Sequence, residues 1–491
     1  MPLKVKLMPE VPVFAVVGHP NKGKSSVVAT LSQNDAIAIA LEPGTTRKRH
    51  RYPLSVDGEV LYVLEDTPGF QRPRRVLEWL EAHSASATDR AETVAAFVNE
   101  HRDDARFTDE CELLAPLVEG AGIIYVVDGS VPYSPEDEIE MTILRWTGRP
   151  SLALINSIGP DDYSDAWKAA LGQFFQVVRR FDAVRAPFDQ HLSLLRAFGQ
   201  LEPAWETPLA RAVRFLSEQR HARQAQAATL IADALVDMMT YREQSTLTET
   251  QLAQGEEGIV EERLRRRWYE HQRQREQGLR RAIEQLYQHR HLRRQEAALE
   301  WHSDHDLFSE DSRLAWGVSR RYLATAGFGA GAIGGVGLDA LTLGSSFGLG
   351  ALAGGIVGGT GAYLFGDRFT LPAMQWGPLR DGLKSVTFGP VQDSQFGYVV
   401  LGRAVDHWWH ISHRNHAGRD LLDLAPASDH WLESLDARSR RTLQRGLDSC
   451  RRKGRLDGRL RTDVEAVVAT ALAIYDRRYN GQGSAERNTE R

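Results

Sequence analysis

Residues 16–26 read VVGHPNKGKSS, in which Gly18, Gly23, Lys24 and Ser25 satisfy the spacing G-x-x-x-x-G-K-[ST]. Residue types in this order have a physical use. Glycines let the backbone turn so that successive N–H groups face one set of phosphate oxygens, and a helix that starts directly afterwards adds the positive end of its dipole. Gly18, His19, Asn21, Lys22, Gly23, Lys24, Ser25 and Ser26 are therefore the candidate phosphate-binding set. Lys24 would reach the β- and γ-phosphates and Ser25 would ligate Mg²⁺. A second segment, LEDTPGF at 64–70, follows an apolar run. Its Asp66 stands where a Mg²⁺-water ligand belongs, and Gly69 can offer a backbone N–H to the γ-phosphate. Between the two lies EPGTTRKR at 42–49, a polar loop in which Thr46 is the threonine placed to close a hydroxyl over Mg²⁺. Lys24, Thr46 and Gly69 are thus the candidate catalytic groups. Arg47, Lys48, Arg49 and Arg51 are weaker candidates for charge stabilisation, and a solvated basic loop is the simpler reading.

These groups need a scaffold that brings strand ends together. Short apolar runs at 13–17, 60–65, 123–128, 152–156 and 177–181 have the character of buried parallel strands, and 136–146 and 166–175 carry helical spacing. Strand and helix in alternation predict a doubly wound α/β domain over 1–205. Residues 71–109 are charged and helix-prone where a short connection would suffice, which marks an insertion. A mainly α-helical remainder follows. In 206–320, Leu230, Ile231, Ala234, Leu235 and Met238 form one helical stripe and Leu279, Ile283 and Leu286 another, predicting bundled or coiled-coil helices.

Residues 321–368 form a glycine-rich hairpin. Asp339 is the sole charge in 322–366, and glycines recur at Gly327, Gly331 and Gly335 and at Gly350, Gly354 and Gly358. Each arm approaches the ~20 residues that span a bilayer, and G-x-x-x-G permits close helix approach. Arg320, Arg321 and Arg368 flank it as cytoplasmic anchors would. One expectation is a hairpin inserted from the cytosolic face of a membrane; the other is a hairpin buried against the helices of 209–316. Residues 369–479 return to mixed polarity as a C-terminal helical region, and 480–491 have the composition of a disordered tail.

The bulk composition narrows the setting. A net charge of −5 over 491 residues argues against wholesale nucleic-acid wrapping. Two cysteines, Cys111 and Cys450, are too few for a disulfide framework, and the N-terminal residues lack a signal-peptide apolar region, so a cytoplasmic protein is expected. His407, His410, His413 and His416 recur every third residue, which spreads them around a helix; with Trp408 and Trp409 they suit packing better than metal binding. The arginine-rich stretch 438–461 suits anionic lipid heads, RNA or a solvated helix face alike.

GHPNKGKS, PGTTR and DTPG, in this order and spacing, resemble the Era-like branch of the TRAFAC-class P-loop GTPases over about residues 10–205. The remainder is similar to a bacterial group in which such a domain precedes a domain of unknown function with a glycine-rich hairpin. The resemblance implies a GTP-binding molecular switch that hydrolyses the β–γ phosphoanhydride with Mg²⁺. Slow intrinsic turnover is implied too, because Phe70 stands where other branches place a water-orienting glutamine. In the tRNA-modifying relatives the asparagine matching Asn21 helps hold K⁺, which implies K⁺-stimulated hydrolysis and possible homodimerisation across the nucleotide face. A ribosome or RNA partner is implied by the resemblance alone. The base-recognition motif N-K-x-D departs from the family: it reads Asn156-Ser157-Ile158-Gly159, with Asp161 and Asp162 two and three residues late. The later S-A motif reads Phe181-Asp182-Ala183. Asn156 is retained as a nucleotide-side residue, but GTP and ATP both stay open. So does a nucleotide-binding assembly protein with little turnover.

Overall fold

A computed structural model describes residues 11–32, 48–56, 58–184, 186–287, 372–414 and 435–489. The chain divides into two compact units. The first is built mainly from Met1–His221, and the second from Ala222–Tyr287, Leu292–Ser412 and Leu421–Arg491.

The first unit is a six-stranded sheet of β1 (Val13–Val17), β2 (His50–Val56), β3 (Glu59–Asp66), β4 (Gly122–Asp128), β5 (Ser151–Asn156) and β6 (Val177–Arg180), in the order β2-β3-β1-β4-β5-β6. β1 pairs in parallel with both β3 and β4, and β5 and β6 continue the parallel sheet. The period-two alternation of a strand sends neighbouring side chains to opposite faces, and β1 feeds a core on each. Phe14 and Val16 pack with Tyr62, Leu64, Phe198 and Trp205, against α1 (Lys24–Ser32), α7 (Phe188–Leu201) and the start of α8 (Pro203–Thr240). Ala15 and Val17 pack with Val76, Phe97, Leu113, Met141 and Trp167 on the other face. That face carries α2 (Pro73–His83), α3 (Arg90–Glu100), α4 (Thr108–Val118), α5 (Pro135–Trp146) and α6 (Ser164–Leu171). All five expected strands form, each within a residue of the predicted bounds. β2 was not anticipated. It is an antiparallel edge strand whose Pro53 suits an edge, where one N–H is not needed by the ladder.

The insertion at 71–109 folds as α2, α3 and the first residues of α4. It is not an appendage: Val76, Leu80, Phe97 and Val98 are fully buried in the same core as Phe70, Ala15 and Val17.

The second unit is mainly helical. The later part of α8 packs with α10 (Glu257–Leu286), α11 (Ser394–His413), α12 (Ala437–Lys453) and α13 (Gly458–Thr489) around one core that includes Ile231, Leu235, Met238, Trp268, Leu279, Ile283, Tyr398, Leu447 and Leu472. The two predicted stripes are its buried faces, with Leu230 and Leu286 at the margin. A three-stranded antiparallel sheet, β7 (Glu243–Thr248), β8 (Met374–Arg380) and β9 (Leu383–Phe388) in the order β7-β9-β8, was not anticipated. β7 is polar, and α9 (Glu249–Ala253) follows it at once; its strand partner lies far along the chain, so no local hairpin announces it. The β8–β9 turn did carry a signal, Asp381-Gly382, with both residues at positive φ.

His407 is buried, and burial pushes its imidazole down to about 3, so it packs as a neutral ring. Trp408 Nε1 donates to the Tyr287 hydroxyl at 2.9 Å. Among the described residues no cluster of His, Cys, Asp and Glu could hold a metal ion. α13 packs into the core through Leu472 and Tyr475 and runs on to Thr489, past the point where composition suggested a tail without structure. No helix among the described residues is long and apolar enough to cross a membrane. The glycine-rich hairpin, His416 and Thr46 lie outside the described residues.

If α3 belongs to the sheet's own core, Phe97→Ala will cost about 3–5 kcal/mol in urea unfolding of the first unit. A loss below about 1 kcal/mol would show the insertion to be dispensable.

Candidate functional site

The loop after β1 lies where the sheet order turns outward on both sides, with β3 on one flank and β4 on the other. Connections leaving in opposite directions open a crevice at the carboxyl ends of such strands. Lys24 is the first residue of α1, and its Nζ folds back over the loop to donate to Gly18 O at 3.1 Å and His19 O at 3.0 Å. It is 8% exposed, and burial pushes its amine down to about 8, with Asp66 and Glu140 opposing the shift. Ser25 Oγ donates to Asp66 Oδ2 at 2.8 Å, joining α1 to the end of β3. A hydroxyl and a carboxylate are hard oxygen donors of the kind Mg²⁺ takes, so this pair fits the ion.

Close packing fixes two glycines. Gly23 has φ +82°, and a Cβ there would lie 2.3 Å from the Asn156 amide. At Gly69 a Cβ would lie 2.6 Å from the Pro20 ring and 2.9 Å from Gly18 O, so the DTPG turn sits directly on the phosphate loop. Thr67 Oγ1 donates to Val16 O at 2.8 Å and fixes the start of that turn. Asn21 adopts φ +64°, a left-handed backbone that asparagine tolerates better than most residues, and its side chain is exposed. Ser26 follows within α1, partly exposed, and the carbonyl of Lys22 accepts from Asn156 Nδ2 at 3.2 Å.

The base side is built differently from the family pattern. Asn156 Oδ1 accepts from Ala183 N at 3.1 Å, so this one side chain ties the phosphate loop to the segment after β6. Gly159 N donates to Ser130 Oγ at 2.9 Å, and Ser130 Oγ donates in turn to Asp128 Oδ1 at 2.6 Å. Asp162 is engaged elsewhere: it accepts from Ser164 N at 2.9 Å at the start of α6 and faces Arg180 at 3.4 Å. Asp161 is exposed. Arg51, in β2, stays mostly exposed and Arg49 is partly exposed, and both find carboxylate partners. Arg51 pairs with Glu65 at 2.9 Å and Arg49 with Glu119 at 2.9 Å.

Sequence reasoning missed the support beneath the loop. Glu140 on α5 is fully buried; its Oε1 lies 2.8 Å from His19 Nδ1, and its Oε2 accepts from the Tyr125 hydroxyl at 3.0 Å. The hydrogen bond to Glu140 raises the His19 imidazole, and burial raises the Glu140 carboxyl. The available signal was a glutamate beside Met141 on the apolar stripe of α5.

Above pH 8 the free protein holds Lys24 partly neutral, whereas an anion beside it favours the ammonium. Triphosphate binding at pH 8.5–9 will therefore take up a proton, and apparent affinity will fall as pH rises above about 8. Calorimetry in two buffers of different ionisation enthalpy measures the uptake; none at pH 9 would contradict this placement of Lys24.

The family described as 50S ribosome-binding GTPase matches residues 13–157, and that described as Domain of unknown function (DUF3482) matches 168–473. The GTPase Der of Mycoplasma pneumoniae is 32% identical over 143 residues, 29% of this chain and 26% of its own. The GTPase Der of Ralstonia nicotianae is 29% identical over 188 residues, 37% of this chain and 36% of its own. The chain thus spans only about a quarter to a third of these relatives. A solved structure of Era with MgGDPNP and nucleotides 1506–1542 of 16S ribosomal RNA is 19% identical, with a TM-score of 0.26, over 39% of this chain and 57% of that one. The chain belongs to the DUF3482 family and carries, ahead of that domain, a P-loop GTPase domain of the Era/Der type.

Proposed function

We propose that the first unit is a Mg²⁺-dependent molecular switch that binds and slowly hydrolyses GTP. The observation that carries this is the pair of contacts at the start of α1: Lys24 folded onto the loop carbonyls and Ser25 joined to Asp66. A triphosphate entering the crevice offers Lys24 anionic oxygens in exchange for neutral carbonyls, a stronger class of hydrogen bond. Ser25 and Asp66 would hold Mg²⁺, together with Thr46, and the ion would neutralise charge on the β- and γ-oxygens. Water adds to the γ-phosphorus, the bond to the β–γ bridging oxygen breaks, and GDP and phosphate leave. Gly69 N–H would stabilise the γ-phosphate. Phe70 would take no part in orienting water, since its ring is fully buried in the core shared with the insertion, which supports slow turnover.

Asn21 would supply K⁺ with a ligand beside the phosphates, a reading that its exposed position supports. A homodimer across the nucleotide face, a ribosomal or RNA partner, and a glycine-rich hairpin that engages the inner face of the membrane belong to the same proposal. The family name supports the ribosomal or RNA partner and the composition of 322–366 supports the hairpin, while the homodimer rests on the resemblance at Asn21. A second reading, ATP in place of GTP or binding with little turnover, is favoured by one observation: residue 159 is glycine where the family places the base-accepting carboxylate.

A nucleotide panel with the full chain separates these. The expected result is GTP bound about tenfold more tightly than ATP, a modest ratio because the usual acceptor is missing. Multiple-turnover hydrolysis should be several-fold faster in KCl than in NaCl, with the difference lost in Asn21→Ala. Tighter ATP binding would overturn the base assignment, and equal rates in the two salts would remove the K⁺ role.

A further inference from the structure

We infer that helix α4 couples the segment after the DTPG turn to the chain entering β2 and passes a shift of that turn to the insertion helices α2 and α3. This rests on the switch reading above and names its regulation. Glu110, 1% exposed, accepts with one oxygen, Oε1, from two successive backbone N–H groups, Gln71 N at 3.1 Å and Arg72 N at 2.6 Å. Those amides follow directly on Phe70 and the DTPG turn. The same segment is tied again by Arg72 Nη1, which donates to Arg106 O at 2.7 Å.

The other side of α4 holds the chain that enters β2. Glu112 Oε2 accepts from Arg49 N at 3.1 Å, and Glu119, which caps the helix C-terminus, accepts from Arg49 Nη1 at 2.9 Å. At about 100° per residue, Glu112 and Glu119 share one face, while Glu110 points to the other. One helix therefore grips Arg49, three residues past Thr46 in sequence, and Gln71–Arg72, two residues past Gly69. These residues lie two and three positions from the groups assigned to the γ-phosphate, Gly69, and to Mg²⁺, Thr46.

The grip has consequences because neither side can slip without cost. Releasing Gln71 and Arg72 would leave a buried carboxylate without its two backbone donors. Phe70 fixes the same segment from below, buried with Val76, Leu80 and Phe97. A shift of Gly69 toward or away from a phosphate must then move the start of α2 or move α4, and α4 carries Arg49 with it. Glu110 also serves as a surrogate cap for α2, whose own N-cap residue Arg72 makes no side-chain cap bond. A cap alone would stabilise α2 equally in every nucleotide state; coupling would not.

Hydrogen exchange of the full chain, loaded with GDP or with a non-hydrolysable GTP analogue, distinguishes the two. The wild type should show nucleotide-dependent protection in peptides covering 71–83 and 108–119. Glu110→Ala should keep GDP affinity within about threefold and keep protection of 16–26. It should lose the GDP-to-GTP difference in 71–83 and 108–119 and turn over about tenfold more slowly at unchanged KM. Glu110→Gln, which keeps an acceptor oxygen, should restore most of the difference. If Glu110→Ala does not fold, Glu112→Ala is read by the same criterion in 108–119. A full nucleotide-dependent difference in the alanine variant, or none in a wild type that binds both nucleotides, would overturn the coupling. A wild type that binds neither nucleotide would instead overturn the switch reading itself.

Discussion

The desolvated ammonium of Lys24 is the constraint on which the first unit depends. A cation in a nearly closed site needs oxygen partners, and here two backbone carbonyls of its own loop supply them. Those carbonyls face inward only because the loop is held from every side. Asn156 grips Lys22 from the base side, the DTPG turn presses on Pro20, and Glu140 binds His19 from beneath. Each brace comes from a different strand or helix, so the cradle is a property of the whole sheet. The cost of holding a charge in this place is stored in the lowered amine, and an anionic ligand recovers it.

Two further features follow from the same arrangement. Phe70 gives its ring to the core, so the DTPG turn that meets the phosphate loop also anchors the insertion. The acids of α4 and Glu65 absorb the arginines that follow the threonine loop. Polar groups that would serve charge stabilisation in a solvated loop instead fix the chain between strands. Chemistry and mechanical linkage thus share the same short segments.

Much of this was legible from residue order. Gly18, Gly23, Lys24, Ser25 and Asp66 announced themselves by spacing, and buried β-branched runs announced the parallel strands. What escaped notice depends on partners far apart in sequence. β7 reveals itself only beside β9, more than a hundred residues away; β2 is a different case, since only Asp57-Gly58 separates it from β3 and that pair is a local hairpin signal. Glu110 and Glu140 look like ordinary helix surface until burial shows what they hold. The charge of Arg49 and Arg51 was plain, but its neutralisation by Glu65 and Glu119 was not, since no local pattern links residues 49 and 119. Asn156 was retained for nucleotide chemistry, and the structure adds a bracing role that spacing could not indicate.

The central claim is that the amides and ammonium around Lys24 form the seat of a triphosphate. An equilibrium titration of the full chain and of Lys24→Ala with Mg²⁺·GTP measures this directly. The account predicts saturable one-site binding by the wild type and a loss of about 10–100-fold in the variant, the value of one or two charge-assisted hydrogen bonds. Equal affinity in the two proteins, or no binding by either, would contradict it.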